Sequence, residues 1–318
     1  MKNIYLNIYK SNSRNLKKAK KIIDNNNVIG LPTETVYGLA GNAYSNIAVK
    51  KIFKLKKRPI INPLIIHYQK LEDIKKDVIY NNSLLKLYKA FCPGPITFIL
   101  KKNPQSRISK IATAGKQTIA VRIPRHKAAK KLLKILNVPL AAPSANISSK
   151  LSPTCAKDVV DEFGNKIKFI LDGGKCQIGL ESTIIDLTGK PNILRPGSII
   201  AKKIQKILKK KITINKNPKK IKSPGQFKSH YSPGIPVIMN RKYHEKNQAF
   251  VGFGKKFKEG KNQFNLSKNG SLNEAANNLY KTMRKIKKRN FKSIAVAKIP
   301  NIGLGYAIND RLKKASNK

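Results

Sequence analysis

The chain has no tryptophan, three cysteines, four histidines, and 15 acids against 67 lysines and arginines. Each scarcity excludes something. Cys92, Cys155 and Cys176 are odd in number and form no CxxC. A disulfide framework and a zinc site are therefore both excluded, and the three are read as reduced packing residues. His67, His126, His230 and His244 are scattered, with no HxxxH among them, so no metal site is expected. No apolar run approaches the ~18 residues of a membrane span. The opening MKNIYLNIYKSNSRN is basic but lacks the apolar stretch of a secretory leader, so a cytoplasmic, membrane-free protein is expected. There is no GxxxxGK[ST], and Gly252-Phe253-Gly254 lacks the third glycine of a dinucleotide fingerprint, so any ATP site is of another kind.

The net charge of +52 admits two readings. Clustered cations bind polyanions such as tRNA by counterion release. However, the lysines are spread over both halves and accompany abundant asparagine and isoleucine, as codon bias in an AT-rich genome would produce. Bias is taken as the main cause. At 318 residues, one larger and one smaller domain are expected.

Polar and basic groups concentrate in LPTETVYGLAGNAYSNIAVKKIFKLKKRPIINPLIIH, Leu31 to His67. Short apolar runs at either end predict a strand, helix, strand unit. Ser45 caps a helix with Ala48, Val49, Ile52 and Phe53 on one face, and Pro59 stops it. Lys56, Lys57 and Arg58 then fall at its C-terminal end. A Lys and Arg pair near Asn62 suits a polyphosphate, although lysines there also simply complement a helix dipole. Glu34, alone among hydroxyls, reads as a structural hydrogen-bond acceptor rather than an acid or base.

Further helices are predicted over Asn15 to Asn25 and Asn81 to Phe91, and strands over Ile96 to Leu100, Thr118 to Ile123 and Pro139 to Pro143. Arg122 within a strand either meets solvent or enters a cleft to hold a carboxylate or phosphate. Ser144-Ala145-Asn146 follows a strand end, where α/β sites gather. A helix ending at Phe163 and strands at Ile167 to Leu171, Ser182 to Leu187 and Ile193 to Arg195 come next; Arg195 is a second lone strand cation. Ala201 to Lys222 holds ten lysines and no acid, read as a helix and a solvated connector. Ser223 to Gly234 has linker composition yet carries Phe227, His230 and Tyr231. Beyond it, strands at Val237 to Met239, Ala249 to Phe253 and Ile294 to Ala297 alternate with a helix at Ser271 to Lys288 and a last helix bearing Ala307, Ile308, Leu312 and Ala315.

Nine segments, in order, carry a resemblance: LPTETVYGLA, KKRPIINPLIIH, CPGPITFIL, TIAVRIPRH, APSANISS, ESTIIDLT, ILRPG, SHYSPGIPV and GLGYAINDRL. The chain resembles the L-threonylcarbamoyladenylate synthase family in its long form. The resemblance implies an α/β fold: a YrdC-like twisted mixed sheet with a basic concave cavity over residues 1–211, a linker or lid over 212–235, and a small Rossmann-like α/β accessory domain over 236–318. It implies condensation of L-threonine, bicarbonate and ATP to threonylcarbamoyl-AMP and pyrophosphate, for modification of tRNA beside the anticodon by a downstream threonylcarbamoyl transferase complex. Weak tRNA contact is also possible on this reading. The K-x-R and S-x-N signature falls on Lys56, Arg58, Ser144 and Asn146. The resemblance assigns threonine to Thr35, His67, Arg122, Ala142 and Ser182. ATP goes to Arg58, Asn62, Thr118, Ser144, Ser152, Arg195 and Tyr231, with Mg²⁺ bound through its phosphates. The accessory part, about eighty residues, reads as shorter than the long form. Two rivals are a non-catalytic RNA-binding protein using the same cavity, and carbamoyl transfer of the hydrogenase-maturation type, whose cysteine clusters are missing here.

Overall fold

The computed structural model describes residues 5–214 and 222–317. The first four residues of the basic opening segment, and residues 215–221 of the expected connector and linker, lie outside the described residues.

Among the described residues, twelve strands form one mixed sheet. At one edge Ile8–Lys10, Ile170–Asp172 and Ile29–Leu31 run parallel. Gly38–Asn42 returns antiparallel, and Leu140–Ala141 pairs antiparallel with both it and Ile65–His67. Thr118–Arg122 lies parallel to Ile65–His67, and Ile96–Lys102 antiparallel to Thr118–Arg122. Thr183–Asp186, Asn192–Arg195 and Thr213–Ile214 complete the far side, and Val78–Ile79 pairs antiparallel with the end of Ile96–Lys102 off the main path. The alternation that puts Arg122 opposite Val121 and Ile123 directs its guanidinium into a cleft, resolving the choice left open by sequence.

Two departures from the expected elements have local causes. The stretch read as strand, helix, strand contains an additional strand, Gly38–Asn42, whose GLAGN sequence lacks the branched residues that mark strands. Its glycine permits close approach, since a Cβ at Gly38 would lie 3.3 Å from the Ala142 Cβ and from the Pro143 carbonyl. Thr213–Ile214 joins the large sheet although it falls where the linker was expected to begin.

The second sheet has four strands, all parallel, in the order Val237–Ile238, Ser293–Val296, Gln248–Gly252, Gln263–Asn265. Helices Leu272–Lys287 and Gly305–Ser316 accompany it. Gln263–Asn265 is too short and polar to read from sequence.

Leu272–Lys287 serves both sheets because its faces differ. Ala275, Ala276, Leu279, Met283 and Ile286 enter the small unit's core. The adjoining stripe, one turn apart at each step, carries Asn277, Tyr280, Arg284 and Lys288 toward the large unit. Asn277 Nδ2 donates to the Cys176 and Gln177 carbonyls at 2.7 and 2.9 Å, and Arg284 Nη2 to the Leu151 carbonyl at 2.6 Å. Val36, Leu151 and Leu180 of the large unit belong to the same apolar cluster as the small unit's core. The interface is therefore a continuation of a core rather than a wet contact.

Leu180 is fully buried in that shared cluster. Leu180→Ala is expected to lower stability by about 2–5 kcal/mol. Urea unfolding should keep one transition, because the units share the damaged core; two separated transitions would contradict that sharing.

Candidate functional site

Three local structures build the site. The first is the hydroxyl-rich loop between Ile29–Leu31 and Gly38–Asn42. Thr33 Oγ1 donates to the Val36 carbonyl at 2.6 Å and accepts from the Thr35 amide at 3.2 Å, so its side chain closes the turn that the backbone leaves open.

The second is the end of helix Asn46–Lys56, which Ser45 caps through the Ala48 amide. Lys57 takes a left-handed conformation at φ 49°, and the Arg58 amide reaches back to the Phe53 carbonyl, ending the helix with a Schellman-type turn. Arg58 then organises the following loop, with Nε donating to the Asn62 carbonyl at 2.9 Å and Nη2 to the Pro63 carbonyl at 2.8 Å.

The third is Ser144 to Asn146. The buried Lys56 amine donates to the carbonyls of Ser144 and Asn146, and Asn146 Nδ2 donates to those of Ile147 and Lys150. Burial, then the neighbouring Arg58, pulls the Lys56 pKa well below its ordinary value.

These pieces wall a cleft. Its lining includes the guanidinium-bearing Arg58, Arg122 and Arg195, the imidazoles of His67 and His230, and one carboxylate, Glu181. Arg122 Nη2 donates to Glu34 Oε1 at 2.8 Å, and the Arg125 amide donates to Glu34 Oε2 at 3.0 Å. Burial alone would raise the Glu34 pKa, but Arg122 overrides it and lowers the value, giving the carboxylate the structural role expected of it. Arg122 Nε has no partner among the described residues, so donors remain for a further acceptor. Arg195 donates from Nε to the Ser182 carbonyl and from Nη2 to Ser182 Oγ, both at 3.1 Å.

Burial, and next Arg122, depresses the His67 pKa to about 3. Burial, with Arg58, Lys56 and Arg195 nearby and Glu181 opposing, depresses that of His230 to about 3. Both imidazoles are therefore neutral at physiological pH. For Glu181, burial raises the pKa, but Arg311, then Arg195 and the Ser152 hydroxyl, bring it down to about 2.

The linker closes over this assembly. Tyr231 is buried with a left-handed backbone at φ +61°, a conformation a bulky residue adopts only when its surroundings impose it. Its ring lies 4.0 Å from that of His230 and 6.0 Å from that of Tyr280. Gly225 passes so close that a Cβ there would lie 2.7 Å from the Tyr231 hydroxyl and 3.0 Å from Arg195 Cδ.

Of the residues expected from sequence, Arg58, His67, Arg122, Ala142, Ser144, Arg195 and Tyr231 line the cleft together. Others stand behind it. Thr35 is buried against Thr33 Oγ1 at 2.9 Å, and it is Thr33 that faces the cleft. Ser182 binds Arg195 and shares a 2.7 Å hydrogen bond with Thr97 Oγ1. Lys56 and Asn146 hold the Ser144 turn, and Ser152 sits by Glu181. Asn62 is buried with its side-chain amide unpartnered among the described residues. Thr118 opens the strand whose other end bears Arg122, outside the lining. Sequence reasoning did not assign Thr33, Val36, Gly38, Ile65, Pro143, Glu181, Pro224 or His230 to the cleft. His230 could have been found from its place beside Tyr231, and Glu181 from its place beside Ser182.

Comparison with known proteins follows this geometry. Residues 21–197 match the family described as "Telomere recombination", covering Sua5, YciO and YrdC proteins, and residues 199–317 match the threonylcarbamoyl-AMP synthase C-terminal domain. The threonylcarbamoyl-AMP synthase of Pyrococcus abyssi is 37% identical over 325 residues, covering 95% of this chain and 94% of its own. That of Bacillus subtilis is 33% identical over 332 residues, covering 96% and 94%. The crystal structure of P. abyssi Sua5 complexed with L-threonine superposes with a TM-score of 0.90 at 35% identity, covering 97% of each chain. The match with these two relatives thus runs along nearly the whole length of both chains.

Two predictions arise from the site. Between pH 6.5 and about 3, the unfolded chain binds protons at His67 and His230 that the folded chain excludes, so stability rises with pH through that window and levels off above it. Glu181 adds stability present above its unfolded value of 4.5 and lost as pH falls toward about 2. Urea midpoints measured from neutral to acid pH should show this slope, and His230→Asn should flatten it above pH 4.5; an unaltered slope would refute the assignment. Gly225→Ala, which would place a Cβ at φ +80° against Tyr231 and Arg195, should strain this segment and lower the Tm, as thermal unfolding beside the parent would reveal; an unchanged Tm would refute the close approach.

Proposed function

The chain belongs to the threonylcarbamoyl-AMP synthase family, and from that premise we propose how its own residues divide the work. The enzyme joins L-threonine, bicarbonate and ATP into threonylcarbamoyl-AMP, releasing pyrophosphate and water. Bicarbonate takes up a proton, its C–OH bond breaks and water leaves; the threonine amine bonds to the carbon dioxide so formed and releases a proton in exchange, giving the carbamate. A carbamate oxygen then attacks the α-phosphorus, the bond to the bridging oxygen breaks, and pyrophosphate leaves with that electron pair. Charge builds on phosphoryl and leaving oxygens, where fixed cations stabilise it without a protein nucleophile.

The observation that carries the residue assignment is the division of the arginines into two groups. Arg122, with His67 opposite it on the neighbouring strand, has a guanidinium donor left after its bond to Glu34 and suits an amino-acid carboxylate. Arg58 and Arg195 repel one another across the other part of the cleft, under Tyr231, an arrangement that a polyphosphate would relieve. The unpartnered Asn62 amide adds polar capacity for the nucleotide, and Ser144 adds a hydroxyl on its turn. In this reading Lys56 and Asn146 act by shaping that turn, Thr35 through Thr33, and Ser182 and Ser152 through Arg195 and Glu181. Thr118 has the weakest claim, standing away from the lining. Glu34 and Glu181 are each committed to an arginine, so Mg²⁺ would be held through the ATP phosphates and water, screening their charge.

The catalytic unit would comprise residues 1–211 together with the short strand Thr213–Ile214, the linker would run on to residue 235, and the accessory unit would follow. The product would pass to a cytoplasmic threonylcarbamoyl transferase acting on tRNA, with at most weak tRNA contact here. Among the described residues, no helix is long and apolar enough to cross a membrane.

Pyrophosphate release from ATP and bicarbonate should require L-threonine. Arg58→Ala should reduce it by about 100-fold or more, and Arg122→Ala should raise the KM for threonine with a smaller effect on that for ATP. Threonine-independent release, or an unaffected Arg58→Ala, would reject the assignment.

A further inference from the structure

The GLGYAINDRL run has no part in the assignments above, yet it carries Arg311 to the wall of the cleft from the opposite unit. Its side chain is fully buried. Nε donates to Glu181 Oε2 at 2.9 Å, and Nη1 donates to the Pro196 carbonyl at 2.9 Å and to Asp310 Oδ2 at 2.7 Å. The guanidinium carbon lies 5.1 Å from the centre of the Tyr231 ring, within cation–π range.

Outside its own helix, then, Arg311 touches three things, and each bears on the nucleotide part of the cleft. Glu181 is the carboxylate in the lining. Pro196 directly follows Arg195. Tyr231 is the strained linker residue that covers both.

Glu181 presents a difficulty for a site that must accept a polyphosphate. An ionised carboxylate in the wall repels phosphate oxygens, and its field also attracts Arg195, the cation those oxygens need. Two groups from the accessory unit offset it: the Tyr280 hydroxyl, 3.1 Å from each Glu181 oxygen, and the Arg311 guanidinium. Removing the guanidinium would leave a buried charge whose nearest remaining cation is drawn from the cleft.

We propose that Arg311 is a positioning residue for ATP: it pairs with Glu181 so that Arg195 stays available to phosphate, and it holds Pro196 and Tyr231 in the closed arrangement. This makes the accessory unit part of the active site without any of its side chains touching the reacting atoms. The inference rests on the assignment of Arg58, Arg195 and Tyr231 to the nucleotide.

The test is a double-mutant cycle on the full chain. Arg311→Met and Arg311→Lys are each made with Glu181 intact and with Glu181→Gln, and threonine-dependent pyrophosphate release is fitted for both KM values and kcat. With Glu181 intact, Arg311→Met should raise the KM for ATP about tenfold or more while that for threonine changes less than about twofold. With Glu181→Gln the ATP effect should shrink by at least about threefold, because the charge that Arg311 neutralises has gone. Arg311→Lys keeps the charge but not the planar fork and should fall between parent and Arg311→Met.

A structural role alone would lower the Tm and the active fraction equally in both backgrounds, with the ATP KM unmoved. An unmoved ATP KM, or an effect undiminished by Glu181→Gln, overturns the proposal. If Arg311→Met does not fold, the same two criteria apply to Arg311→Lys. An Arg58→Ala control separates the two levels of argument. A parental ATP KM in that control removes the nucleotide assignment itself, whereas a normal loss there beside a silent Arg311 removes only this inference.

Discussion

Glu181 meets Arg311 where the large sheet, the linker and the accessory unit converge, and the placement of the cleft depends on that buried contact. The carboxylate precedes the strand Thr183–Asp186, the guanidinium comes from the helix Gly305–Ser316, and Tyr231 of the linker lies under the same guanidinium. Buried ion pairs contribute little net stability over a well-packed apolar alternative, because desolvation offsets the attraction. What such a pair does is penalise every arrangement in which one member is alone. Here those arrangements include any in which the accessory unit shifts or the linker lifts. The surrounding apolar cluster, with Leu180 and Leu151 packed among Leu279 and Tyr280, supplies the attraction; the ion pair selects one geometry from those the attraction would tolerate.

The cleft itself follows from how the arginines are held. Arg58 and Arg195 direct side-chain donors to backbone carbonyls at Asn62, Pro63 and Ser182, so their planes are fixed before any ligand arrives. Fixed dipoles and charges at a dry site need no reorganisation during the reaction, which is where most electrostatic catalysis originates. The neutral imidazoles of His67 and His230 contribute shape and hydrogen bonding without adding to the mutual repulsion of the cations.

The sequence announced elements with strong periodicity or clear punctuation. The Ser45-capped helix, the TIAVRI strand and the stripe ending in Ala315 were legible because each repeats with the period of its element or carries branched residues between clear stops. Gly38–Asn42 was not, since a strand selected for close backbone approach carries glycine where propensity looks for branched side chains. The site divided along similar lines. Arg122 and Arg195 stood out as cations in apolar strands, and the LPTETVYGLA and KKRPIINPLIIH segments pointed to their surroundings. Arg311 was hidden because alone it resembles an ordinary surface charge; only its pairing with Glu181, 130 residues away in the chain, gives it meaning. Sequence spacing likewise does not show that the Lys56 amine and Asn146 Nδ2 donate to nearby backbone carbonyls.

Because Val36, Leu151 and Leu180 sit in the accessory unit's core, the large unit has no finished outer surface on that side. A lineage that discarded the accessory unit would expose a greasy scar and an orphaned carboxylate together, and would have to repaint both with polar residues before its product stayed in solution. The same scar would be visible to the cell's quality control while the chain is being made. The large unit precedes its cover on the ribosome, so it must wait, partly unclothed, for the last helix to emerge.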